Sequence, residues 1–120
     1  MITLKIDKRT FEELENRADH CEDSASNCRE EENEEGAQSW EATAHAIRCS
    51  LVKDGRGYML RVASTSYAED IAGEAANIAA IIRDGANWTS VLAPEKARML
   101  RDARKFERVA DALTLFSREQ

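Results

Sequence analysis

The side chains best able to do chemistry in this chain are carboxylates, and they are crowded. Glu30-Glu31-Glu32-Asn33-Glu34-Glu35 places five acids in six positions, and like charges so close along a chain repel one another at a local cost. A sequence that breaks a local rule is a place to look for function. Asp19 and Asp23 extend the acidic surface back along the preceding segment. On a helix, side chains three or four residues apart stand about 5–6 Å from each other. A row of carboxylates at that spacing can imitate the charge of a nucleic-acid strand and occupy a basic cleft. The plainer alternative is a solvated acidic face that keeps a small protein dispersed.

The second charged constellation is basic. Arg101, Arg104, Lys105 and Arg108 follow one another at steps of three, one and three, so they share one side of a helix. Four phosphate contacts there would make binding strongly dependent on salt. Glu107 and Asp111 fall within a turn of Arg104 and Arg108 and are placed to neutralise them. No aromatic is interleaved for base stacking. A further reading pairs this stripe with the acidic helix of a second copy, giving a homodimer.

Other candidates point to structure. Cys21 and Cys28 lie on one expected helix, seven residues and so about 10 Å apart, too far to share a zinc at Zn–S distances of about 2.3 Å. His45 and Cys49 supply only two ligands. All three cysteines read as small core fillers, and Cys49 should point away from Cys21. Glu12 and Glu15, or Asp19 and Asp23, would hold Mg²⁺ only against carboxylates of a facing helix, and the expected partner offers Ala, Trp, Ile and Leu instead. His20 falls on a polar helix side and His45 on an apolar one. Ser64-Thr65-Ser66 reads as a helix start, and Gly55-Arg56-Gly57 lacks the Lys-Ser or Lys-Thr of a phosphate loop. Tyr58 and Trp88 are candidate contact residues. No catalytic, cofactor or metal role is expected.

These residues need elements to position them. Ile2, Leu4 and Ile6 alternate with polar residues as in a strand with one buried face. Thr10 and Glu13 form a capping box that starts a helix at Phe11. Its seam, Phe11, Leu14, Ala18, Cys21, Ala25 and Cys28, is a narrow heptad stripe. The acidic run interrupts that pattern near Asn33, and Glu34 and Glu35 suit the start of a second helix. Its seam is Ala37, Trp40, Ala44, Ile47 and Leu51, with Ala42, His45, Ala46, Cys49 and Val52 on the other side. Two apolar sides place it between the first helix and the body, and the short connection makes an antiparallel hairpin.

Asp54 to Gly57 is a turn, followed by a strand in which Tyr58, Leu60 and Val62 alternate with Met59, Arg61 and Ala63. A rival reading makes residues 46–53 a strand paired through that turn. Ser66 and Glu69 open a third helix that runs to Asp84 and is apolar around most of its circumference, with Gly73 admitting a close neighbour. Residues 87–93 link it to a fourth helix, begun at Pro94 and ending near Ser117. Its apolar face is Met99, Leu100, Ala103, Phe106, Val109, Ala110, Leu113 and Phe116.

Composition agrees with this plan. At 120 residues, 42% hydrophobic and 33% charged, the chain is one domain, 1–120, with a real core and a soluble surface. The longest apolar run, Ile78 to Ile82, excludes a membrane span. An odd cysteine count and a start without a secretion signal point to the cytoplasm. Of the net charge of -6, residues 1–45 hold -8 and residues 46–120 hold +2.

The sequence therefore predicts a mostly helical α+β fold: four helices, a projecting antiparallel helical hairpin and a small two-stranded antiparallel sheet. The expected function is that of a small acidic, non-enzymatic binding protein acting by occlusion. Its most concrete form is an inhibitor of a nucleic-acid-handling complex, in the manner of phage antirestriction and anti-CRISPR proteins. Asp19, Asp23, Glu30, Glu31, Glu32, Glu34 and Glu35 would meet Lys and Arg of a protein partner with a basic surface. The alternative is a nucleic-acid-binding or regulatory protein that uses Arg101, Arg104, Lys105 and Arg108.

Overall fold

The computed structural model describes residues 1–88 and 90–119. In chain order it contains β1 (Ile2–Ile6), α1 (Lys8–Glu30), α2 (Glu34–Ser50), β2 (Leu51–Asp54), β3 (Gly57–Val62), α3 (Thr65–Ala86) and α4 (Ala93–Glu119). No helix among the described residues is long and apolar enough to cross a membrane. Thr89, within the expected linker, lies outside the described residues.

Both expected capping boxes are displaced by a better cap just upstream. Asp7, in extended conformation, accepts the Thr10 N–H at 2.8 Å, so α1 starts at Lys8 instead of Phe11. A carboxylate both satisfies that free N–H and complements the positive helix end. Ser64 does the same for α3, accepting from Tyr67 N–H at 3.2 Å. Thr10 itself is buried beneath the first turn.

Residues 46–53 divide between the two readings. The helix continues to Ser50, and a strand begins at Leu51, so the sheet has three strands where two were expected. The tight turn explains this: Arg56 N–H donates to Asp54 Oδ1 at 2.7 Å, Gly57 takes a φ of 119° and Asp54 pairs with Gly57. That geometry turns the chain back on itself and gives Leu51 and Val52 a partner strand in Leu60 and Met59. β1 pairs antiparallel with the other edge of β3, from Ile2↔Val62 to Ile6↔Tyr58, making the order β1-β3-β2.

The core lies between the sheet and two helical hairpins, α1/α2 and α3/α4. Leu60 and Val62 are fully buried against Leu14, Ile47, Ile71, Phe106 and Leu113. Alanines at 68, 72, 75, 79, 103 and 110 let α3 and α4 approach closely. The glycine that serves this approach is Gly85, where a Cβ would stand 3.2 Å from Met99 Cε. Gly73 faces open space instead. Nor is α3 buried all round, since Ile81 is 61% exposed.

The seam of α1 is buried from Phe11 to Ala25, with Cys28 half-buried. On α2 the second apolar side is thinner than its composition promised. Ala46 enters the core, but Ala42, His45 and Cys49 are exposed, because β2 and β3 leave at the helix end and cover no more of it. Cys49 is accordingly not a core filler. Only Leu14, Ala18, Ala46 and Ile47 of the hairpin join the main core. Cys21, Ala25, Ala37 and Ala44 are buried along the helix–helix seam beyond it.

Candidate functional site: the acidic hairpin and the basic face

The connection between α1 and α2 is built from the acidic run. Asn33 N–H donates to Cys28 C=O at 2.7 Å and Glu32 N–H to Arg29 C=O at 3.0 Å, the paired bonds of a Schellman ending. Glu32 takes the left-handed position, φ 60°, where glycine is usual. Asn33 then caps α2, accepting Gly36 N–H at 3.0 Å. A Cβ on Gly36 would lie 2.5 Å from Asn33 Nδ2, so this glycine leaves room for the cap.

Part of the acidic surface is answered within the chain. Arg29 bridges Glu34 at 3.3 Å and also pairs with Glu41, which holds the Glu41 carboxyl below its ordinary range. Arg48, near the other end of α2, binds Glu22 at 2.7 Å and pairs with Asp19. His20 stacks edge-on against Trp40, 6.0 Å between ring centres. Asp23, Glu30, Glu31, Glu32 and Glu35 are exposed and make no ion pair among the described residues. The expected acidic surface thus has two parts: an open tip with Asp23 below it, and Asp19 and Glu34 committed to α1–α2 cross-links.

The basic residues of α4 also divide. Lys105 Nζ binds Asp7 Oδ2 at 2.6 Å and lies 3.9 Å from Asp102, which Arg9 also meets at 3.1 Å. Burial of Asp7 works against its ionisation, yet Lys105 and the Thr10 N–H outweigh it and lower the carboxyl pKa to about 2. Arg101, Arg104 and Arg108 are exposed without an ion pair among the described residues. Glu107 makes its ion pair off its own helix, with Arg83 on α3, 3.1 Å away, and still feels the charge of Arg104 on α4, so it partly answers that neighbour as expected.

Three features escape sequence reasoning. Arg17 of α1 pairs with Glu74 of α3, both nearly buried. A charged residue at a core-face position of an apolar helix was the available signal. Burial, reinforced by Glu74, pushes the Cys21 thiol up to about 11, so it stays protonated. The third is a groove of about 660 Å³ between β1 and α4, where Lys5 and Arg56 join Lys105 and Arg108 over Leu4 and Val109. No spacing rule links positions 5, 56 and 108; only the sheet register and the crossing of α4 bring them together.

The three cysteines are free thiols. Cys49 Sγ lies 3.4 Å from His45 Nε2, and the His45 ring meets Tyr67 edge-on at 5.8 Å. Trp88 is 68% exposed, while Tyr58 is half-buried against Phe11 at 5.0 Å. Comparison with protein-family models, with curated proteins and with solved structures finds no match.

Proposed function

We propose that this chain is a non-catalytic binding protein that acts by occlusion, setting its acidic hairpin into the basic surface of a protein partner that handles nucleic acid. The reading parallels the strategy of phage antirestriction and anti-CRISPR proteins. One observation carries it: Glu30, Glu31, Glu32 and Glu35 are exposed around a hydrogen-bonded turn and make no ion pair with the described residues. A fixed turn keeps these carboxylates close together, so little ordering is required when cations approach. Dense charge of one sign also speeds encounter with an oppositely charged surface, and salt weakens that effect.

Arg101, Arg104 and Arg108 support a second reading, direct nucleic-acid binding by α4, because they too lack partners among the described residues. One experiment separates the two. Glu31→Lys with Glu35→Lys reverses outward charge while leaving the Arg29–Glu34 cross-link intact. Affinity capture from host lysate should recover a basic nucleic-acid-handling protein with the native chain and lose it with the reversed one. Equal capture overturns the acidic-hairpin reading. Retardation of DNA or RNA in a low-salt gel, lost on Arg101→Ala, Arg104→Ala and Arg108→Ala, establishes the second.

A further inference from the structure

We propose that the groove between β1 and α4 binds a small amphipathic anion, a carboxylate borne on an apolar chain. This site is separate from the acidic hairpin and does not depend on its role. The argument begins with incomplete coverage. On β3, Leu60 and Val62 are fully buried, but on the neighbouring edge strand Leu4 and Ile6 remain half-covered. α4 leans towards α3 and leaves a gap of about 660 Å³ over these side chains, completed by Tyr58 and Val109. That volume falls within the range of about 300–1,000 Å³ found for small-molecule sites.

The rim sets the sign of the ligand. Lys5, Arg56, Lys105 and Arg108 line the groove, with Asp7 as the single acid. Lys105 and Asp7 answer each other at 2.6 Å, which leaves Lys5, Arg56 and Arg108 without an ion pair among the described residues. Lys5 alternates with Leu4 and Ile6 and so points to the other face of the sheet, but two open cations, Arg56 and Arg108, beside an apolar floor still stand out in a chain whose net charge is -6. A second copy of the same face is disfavoured, because it would bring these cations together. Nucleic acid would answer the charge but leave the apolar floor unmatched, and the one aromatic present, Tyr58, is already packed on Phe11. An aliphatic carboxylate satisfies both parts: its chain covers Leu4, Ile6 and Val109, and its head group accepts hydrogen bonds from Arg108 or Arg56.

Isothermal titration of the full chain with decanoate, acetate and decyltrimethylammonium tests this, with backbone amide shifts recorded in parallel. Decanoate should bind below its micelle concentration and move the signals of Leu4, Ile6 and Val109. Acetate, lacking the chain, and decyltrimethylammonium, bearing the opposite charge, should not bind. Arg56→Gln with Arg108→Gln, both exposed positions, should weaken decanoate by about tenfold, as loss of a charge-assisted hydrogen bond implies. Ala112→Phe should fill the groove and abolish binding while the circular dichroism stays native. The proposal fails if decanoate does not bind, if both amphiphiles bind equally, or if the Gln variant binds as tightly as the native chain. Binding of a short oligonucleotide with the same amide shifts, in place of decanoate, would reassign the groove to nucleic acid.

Discussion

Arg17 and Glu74 lie where α1 crosses α3, with side chains 15% and 11% exposed. Taking two charges out of water is costly, and their attraction repays it only while both are present. Arg17→Met alone should therefore destabilise the protein by about 3 kcal/mol, because it strands the Glu74 carboxylate. Arg17→Met combined with Glu74→Leu should recover most of that loss, as urea unfolding of the single and double variants would show. Equal losses in both would mean that packing, and not charge, holds the crossing. Ser50 shows the uncharged form of the same rule, since its buried Oγ has no hydrogen-bond partner among the described residues. A buried hydroxyl left without a partner costs the fold about 1–3 kcal/mol of desolvation.

At the scale of elements, the turn between the helices is where local chemistry and global shape disagree. An L-residue with a Cβ costs about 1 kcal/mol in the left-handed conformation, and Glu32 adopts it. Glu32→Gly should raise stability by about that amount, read as a higher urea midpoint with an unchanged slope. The helices themselves were legible because apolar spacing is a long signal: the α1 stripe from Phe11 to Ala25 is buried residue for residue. Their starts were less so. A Ser or Thr followed by Glu three positions later matches a capping box, but Asp7 and Ser64 begin their helices earlier, accepting the N–H groups of Thr10 and Tyr67, so that Thr10 and Ser66 already lie within the first turn. β2 was hardest to see, since four residues continuing a helical pattern become a strand only when β3 supplies the ladder. The acidic tip was visible as a run of letters, whereas the cross-links of Arg29 and Arg48 depend on helix pairing.

At the scale of the whole molecule, Asp7 ties three elements together. It follows β1, caps α1 and binds Lys105 of α4. Its carboxyl ionises at about 2 in the folded chain against an ordinary 3.8, so the folded state holds this proton less readily than the unfolded one. Its contribution to stability is therefore complete above pH 3.8 and is lost as pH falls through about 2. Thermal melts across that window should fall more steeply for the native chain than for Asp7→Asn, which has no proton to gain at this position. Identical slopes would assign the acid sensitivity to other carboxylates. The uneven charge of the two parts of the chain was plain in the sequence. The grouping of Arg56 and Arg108 was not, because it exists only once the sheet has formed.

The placement of β3 between strands from distant parts of the chain sets an order of assembly. β2 reaches its partner through a tight turn, and α3 and α4 are neighbours in sequence. β1 must instead wait for the chain to pass through both helices of the first hairpin before Ile6 can find Tyr58. Closing a long loop has an entropic cost that precedes any reward. β1, made before the partner it needs, is thus among the last strands to be secured, and until then Ile2, Leu4 and Ile6 stand open to solvent.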